Sequence, residues 1–150
     1  MALYKTHNKF NIFLALPLLI CLLYYFFHLK TLCLITFGGC FTYCTLFMSP
    51  DMDIANKIKL FSIKGLFTLP FRLYSLIFRH RGLSHSFFLG SLTRVFFLLI
   101  LLLTILLLLN KNIDSFLTFI KHHKEYLIFG FIGILAADLC HILLDIRLKK

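Results

Sequence analysis

A chain of 150 residues that is 60% hydrophobic and only 15% charged, with a mean hydropathy of +0.91, has too little polar side chain to cover a water-soluble domain of its length. Its net charge of +10 would suggest nucleic acid in a soluble protein. Among long apolar runs the same charge reads as basic loops beside anionic lipid and the cytoplasm, so membrane lipid is the expected partner and nucleic acid is not.

Residues Met1 to Asn11, with Lys5 and Lys9 ahead of an apolar run, look like the start of a signal peptide. No small-residue cleavage site follows Phe27 and a second apolar segment begins almost at once, so Phe10 to Leu29 is expected to remain as a first span. The short connection His28-Leu29-Lys30 folds it against a second span, Thr31 to Met48. That span carries Thr36, Gly38, Gly39, Cys40, Thr42, Tyr43 and Cys44, small and polar residues suited to packing against other helices. Five cysteines, mostly inside apolar segments and without a CxxC pair, argue against a disulfide framework or a zinc ribbon.

Pro50 stops the second span within "SPDMD", Ser49 to Asp53. From Ile54 to Phe78, Lys57, Lys59, Lys64 and Arg72 interrupt the apolar residues while Gly65 and Pro70 break any long helix, the pattern of a segment lying along the membrane. The polar octet "RHRGLSHS", residues 79 to 86, precedes a third span from Phe87 to Asn110, whose Val95 to Leu109 stretch faces lipid widely. A fourth span runs from Leu127 to Ile146. At about 1.5 Å per residue each span reaches about 27 Å or more. With no linker and no repeat, residues 1–150 form one integral-membrane domain, all-α: a polytopic bundle of four spans with an interfacial segment between the second and third.

Lysine and arginine placement sets the orientation. Lys5, Lys9, Lys57, Lys59, Lys64, Arg72, Arg79, Arg81, Arg147, Lys149 and Lys150, eleven of the sixteen basic residues, flank one face, which the positive-inside rule assigns to the cytoplasm together with both termini. The opposite loops hold Lys30, Lys111, Lys121 and Lys124. Arg94 lies just inside the third span.

Histidines and acids gather at the basic face: His7, Asp51, Asp53, His80, His85, Asp138, His141 and Asp145. Asp138, His141 and Asp145, at i, i+3 and i+7, share one stripe of the fourth span. A charge well inside a span costs about 2.5 to 3.5 kcal/mol on insertion scales, so two carboxylates there call for a cation or a partner. His80 and His85 lie about 140° apart on a helix and can converge only through a turn, for which Gly82 is suited, with Ser84 able to cap the helix that follows. Imidazole with carboxylate is the donor mix of hydrolytic divalent-metal sites, and the set suffices for one filled site or two metals with shared carboxylates, zinc or manganese being the expected ions. Arg79 and Arg81 then hold lipid phosphate or neutralise an anionic substrate.

"KTH" (Lys5 to His7), "SPDMD", "LFSIKGLFTLPF" (Leu60 to Phe71), "HRGLSHS" followed by Gly90 and Arg94, and "ADLCHILLD" (Ala137 to Asp145) occur in an order that resembles a family of small bacterial membrane proteins described as metal-binding. More loosely, the chain is similar to the YdjM-like membrane-bound metal-dependent hydrolases. The resemblance implies metal ligation by His7, Asp51, Asp53, His80, His85, His141 and Asp145, with Asp138 a further candidate, and residence in the bacterial cytoplasmic membrane. Phe67 and Phe71 stand where a tryptophan and a tyrosine are expected in that pattern.

The reading that follows is a metal-dependent hydrolase acting on a phosphoester or ester, an amphiphilic or phosphorylated small substrate, at the cytoplasmic membrane face. An uncoordinated carboxylate, Asp53 or Asp138, serves as its base. The alternative is a non-catalytic protein or accessory subunit whose closed metal site only locks the bundle. A phosphohistidine-type lipid phosphatase fails in detail, since Leu135 stands where its arginine is needed and Gly82-Leu83-Ser84-His85 where it has Pro-Ser-Gly-His. A transporter is disfavoured because the polar set lies at one edge of the bundle rather than at mid-bilayer.

Overall fold

The computed structural model describes residues 2–48, 62–77 and 87–148. All regular structure there is helical: α1 (Ala2–Phe10), a π-helical turn (Asn11–Ala15), α2 (Leu16–Phe27), α3 (Thr31–Phe47), α4 (Ile63–Phe67), α5 (Leu69–Ile77), α6 (Phe87–Leu108), α7 (Ile113–His122) and α8 (Lys124–Leu148). Among the described residues three stretches, Thr6–Phe27, Phe88–Leu108 and Lys124–Ile146, are long and apolar enough to cross a membrane. Their outward side chains, Phe13, Phe26, Ile100 and Leu108 among them, are apolar and exposed. The second expected span, α3, is shorter, at 17 residues or about 26 Å.

The first long helix is continuous but uneven. Pro17 has no N–H to give to the carbonyl four residues back, and its ring crowds that carbonyl, so the turn ahead of it widens into the π-helical stretch. The helix ends at His28, which takes the left-handed conformation (φ 47°, ψ 41°) that lets its N–H close on the Tyr24 carbonyl at 3.2 Å.

The closest helix pair is α3 with α8, and glycine makes it possible. A Cβ added at Gly133 would fall 2.5 Å from the Phe37 carbonyl oxygen, and one at Gly130 would fall 3.0 Å from Cys40 Sγ. Small residues at these positions let two backbones approach where no hydrophobic drive separates helix from lipid. Contacts advance together along the pair, with Lys30 against Glu125, Phe37 against Gly133 and Cys44 against Asp138, so α3 and α8 run parallel. The first helix runs the other way, since Asn11 meets Ala137 while His7 meets Asp145.

α4 and α5 occupy the described part of the middle segment. Ser62 Oγ accepts the Gly65 N–H at 2.9 Å and starts α4, and α5 turns Phe71 and Tyr74 into the core. The Tyr74 ring packs edge-on to Phe97 of α6, and its hydroxyl hydrogen-bonds the Thr93 hydroxyl at 3.1 Å. Leu66, Phe67, Leu69 and Leu73 stay exposed. At the turn after α6, Asn110 (φ 49°) reverses the chain and the Asn112 side chain accepts the Asp114 N–H to cap α7.

The bundle therefore has two polar ends. One holds the His28–Lys30 turn, α7 and the start of α8, joined by Lys30 Nζ to Glu125 Oε2 at 3.1 Å. The other holds His7, Met48 and the last three turns of α8.

Candidate metal centre

His7 on α1 projects toward α8, where His141 and Asp145 stand one turn apart. One ligand atom from each, an imidazole nitrogen from the two histidines and a carboxylate oxygen from Asp145, lies within 4.8 Å of the other two. His7 Nε2 is 3.4 Å from Asp145 Oδ1, and His141 Nε2 is 3.7 Å from Asp145 Oδ2. The two imidazole rings lie 4.6 Å apart, centroid to centroid. His7 and His141 are buried while the Asp145 side chain is 36% exposed, so the trio is closed toward the bundle and open at its outer edge.

The donor set passes a test of fit to a divalent cation. Both ring nitrogens of His7 are buried, and among the described residues neither has a hydrogen-bond partner, since Asp145 is near but out of line. A buried polar atom left unpaired costs about 1 to 3 kcal/mol, which ligation removes. Ligand atoms bound at about 2.0 to 2.2 Å to one tetrahedral ion lie about 3.3 to 3.6 Å apart. The two histidine contacts to Asp145, at 3.4 and 3.7 Å, are already near that spacing, and the 4.8 Å limit of the whole trio closes to it with a contraction of at most about 1.5 Å.

One turn deeper the stripe on α8 divides. Asp138 turns to α6, where Arg94 Nη2 donates to its Oδ2 at 2.7 Å and Nη1 to its Oδ1 at 3.3 Å. Ser91 Oγ also donates to Oδ2, and Cys44 Sγ lies 3.5 Å from Oδ1. Arg94 and Asp138 are both almost fully buried, a position in which each charge requires the other. Arg94 further donates from Nε to the Gly90 carbonyl at 2.9 Å and from Nη1 to the Met48 carbonyl. Beside this pair, Asn11 donates from Nδ2 to Thr45 Oγ1 and the Ala137 carbonyl, each at 3.4 Å, tying three helices together.

Of the residues singled out by sequence, His7, His141 and Asp145 come together, and Asp138 is engaged by Arg94 instead of joining them. Asp51, Asp53, Arg79, His80, Arg81 and His85 lie outside the described residues. His28, His122 and His123 stand at the opposite end, where His123 Nδ1 lies 3.0 Å from the Phe119 carbonyl oxygen. Sequence reasoning left Arg94 without a role and overlooked Ser91 and Asn11. A signal for Arg94 was present: an arginine within an apolar helix needs an acid at the same depth, and Asp138 is the acid set deepest in the fourth span.

Comparison with known proteins bears on the whole chain. Residues 2–150 match the family model described as "Uncharacterized metal-binding protein (DUF2227)". An "Uncharacterized protein" of Aquifex aeolicus (strain VF5) is 32% identical over 130 residues, covering 75% of this chain and 89% of that protein. No solved structure matches. With its family model matched almost from end to end, this chain belongs to the DUF2227 family, described as metal-binding proteins.

Proposed function

We propose that this protein is a membrane-embedded divalent-metal protein whose centre hydrolyses a phosphoester or ester at the cytoplasmic membrane face. The observation that carries the metal reading is His7, a buried imidazole with both nitrogens unpaired among the described residues, held against His141 and Asp145. The family description points the same way for the metal, and hydrolysis is read from the donor mix, imidazole with carboxylate, that hydrolytic divalent-metal sites use.

His7, His141 and Asp145 hold the ion in this reading, with Asp51, His80 and His85 as ligands of the second ion of a two-metal pair and Asp53 left uncoordinated. Two imidazoles and one carboxylate leave coordination positions open, as catalytic zinc sites do. A divalent metal supplies Lewis acidity there and lowers the pKa of a water it binds. Asp145 keeps the outer edge accessible, and Arg79 and Arg81 attract an anionic headgroup or phosphoryl group. Asp53 is the better candidate for the base, because Asp138 is occupied by Arg94 and Ser91. The middle segment lies along the bilayer in this reading, with the exposed Leu66, Phe67, Leu69 and Leu73 in lipid.

Detergent-purified protein is to be analysed for metal content, then incubated with native membrane lipid while released phosphate and lipid products are followed by mass spectrometry. The expected result is stoichiometric zinc or manganese and metal-dependent cleavage, both lost in His7→Ala. Metal without turnover of any lipid phosphoester or ester selects a centre that only locks the bundle, and a protein that binds no divalent metal overturns both readings.

A further inference from the structure

A buried ion pair is an expensive way to hold helices together. Hydrophobic replacement of such a pair is often neutral or stabilising, so stability alone does not account for Arg94 and Asp138. What a leucine or methionine could not do is donate hydrogen bonds to several helices at once. The Arg94 guanidinium reaches the Gly90 carbonyl of its own helix, the Met48 carbonyl at the end of α3 and both carboxylate oxygens of Asp138 on α8. The bond back to Gly90 fixes the direction of the fork, and the other donors then set α3 and α8 relative to α6. The pairing is bidentate and planar, a geometry that Arg supports and Lys does not.

The Asp138 end of the fork borders the metal centre. Asp138 and His141 are three residues apart and adjacent on the surface of α8, so the rotation that presents one presents the other. The geometry points to Arg94 and Asp138 as a positioning pair for the metal centre, tying α8 to α6 and to the end of α3 in the rotation that turns His141 and Asp145 toward His7. This inference rests on the metal-binding reading above and adds to it two residues that touch no ligand.

The test is the double variant Arg94→Met with Asp138→Leu, which removes both charges and strands neither. Wild type and variant, purified in detergent, are titrated with Co²⁺, with affinity and the visible absorption spectrum as readouts. The expected variant inserts, melts no lower than wild type, binds Co²⁺ about tenfold or more weakly, the usual cost of losing groups that orient ligands, and shows an altered spectrum. Wild-type affinity and spectrum in a folded double variant overturn the positioning role. Arg94→Lys guards against a variant that fails to insert: it keeps the charge opposite Asp138 but not the fork, and is expected to show the same loss. If Arg94→Lys binds Co²⁺ as wild type does, the inference is overturned. A wild-type protein that binds no Co²⁺ removes the metal reading and this inference together, whereas binding untouched by either variant removes this inference alone.

Discussion

His7 and His141 face each other ring to ring, 4.6 Å between centroids, although they come from opposite ends of the chain. That contact joins the first helix to the last. It also makes the centre dependent on both at once, so a metal bound there should be lost when either ring is removed. His141→Ala is expected to lower bound metal from near stoichiometric to a trace while the protein still inserts, because alanine is better tolerated in a span than imidazole. His122→Ala, at the other end of the bundle, should keep its metal. Elemental analysis of the two purified variants decides the matter; equal metal in both removes the site from α8.

A second outcome follows from the α3–α8 contact. Gly133→Ala puts a methyl 2.5 Å from the Phe37 carbonyl oxygen, and backbone cannot step aside as a flexible side chain would. A loss of about 1 to 3 kcal/mol is expected, the range for overpacking. Gly39→Ala in α3 meets nothing within 4 Å and should be neutral or slightly stabilising, since alanine favours the helix. Thermal unfolding in detergent compares them. Equal midpoints for the two variants would mean that the helices can separate freely at Gly133.

The Lys30–Glu125 pair gives a pH prediction. The hydrogen bond to Glu125 first, and the charge of Glu125 second, raise the Lys30 pKa above its ordinary 10.5. A raised value favours the protonated form in the fold, so the contribution is whole below the ordinary lysine range and is lost as pH rises through the raised one. Both side chains are exposed, which keeps the effect small. Glu125→Gln should therefore leave the melting midpoint nearly unchanged from about pH 6 to pH 9, where lysine is charged in both states. A marked difference near neutral pH would show that the pair carries more than its geometry allows.

Topology can be tested independently of metal. With eleven of sixteen basic residues on one face, both termini and residues 49–84 are expected in the cytoplasm, and Lys111 to Lys124 outside. Single cysteines introduced at Lys111 and Lys150 in a background without the native five should label from opposite sides with an impermeant reagent. Labelling of both from the same side would leave an even number of crossings between them and would exclude the four-span arrangement.

Much of the framework was legible in the sequence because lipid imposes simple rules. Apolar length marks a spanning helix, and Thr6–Phe27, Phe88–Leu108 and Lys124–Ile146 show it. The i, i+4 spacing of His141 and Asp145 put them on one face, and counting alternate faces brought His7 to the same end. The same spacing rule misled at Asp138. Shared azimuth on a helix does not decide which neighbour a side chain meets, and Asp138 is met by Arg94 of α6 at 2.7 Å. The widened turn before Pro17 was also hidden, since proline marks a disturbed helix without saying how the turn relaxes.

That widened turn has its own consequence for how the chain tolerates change. Asn11–Ala15 separates two helical stretches with different tasks, one aiming His7 inward and one presenting Phe26 and Phe27 outward. Each residue added to or removed from an α-helix shifts the phase of everything beyond it by about 100°. Deleting one residue here while α2 stayed anchored would swing His7 off its bearing toward His141 and leave the lipid-facing surface as it was. The first helix is thus timed like a vernier, its two scales offset by a single short stretch, and an insertion or deletion within those five residues should silence the centre in a protein that still enters the membrane normally.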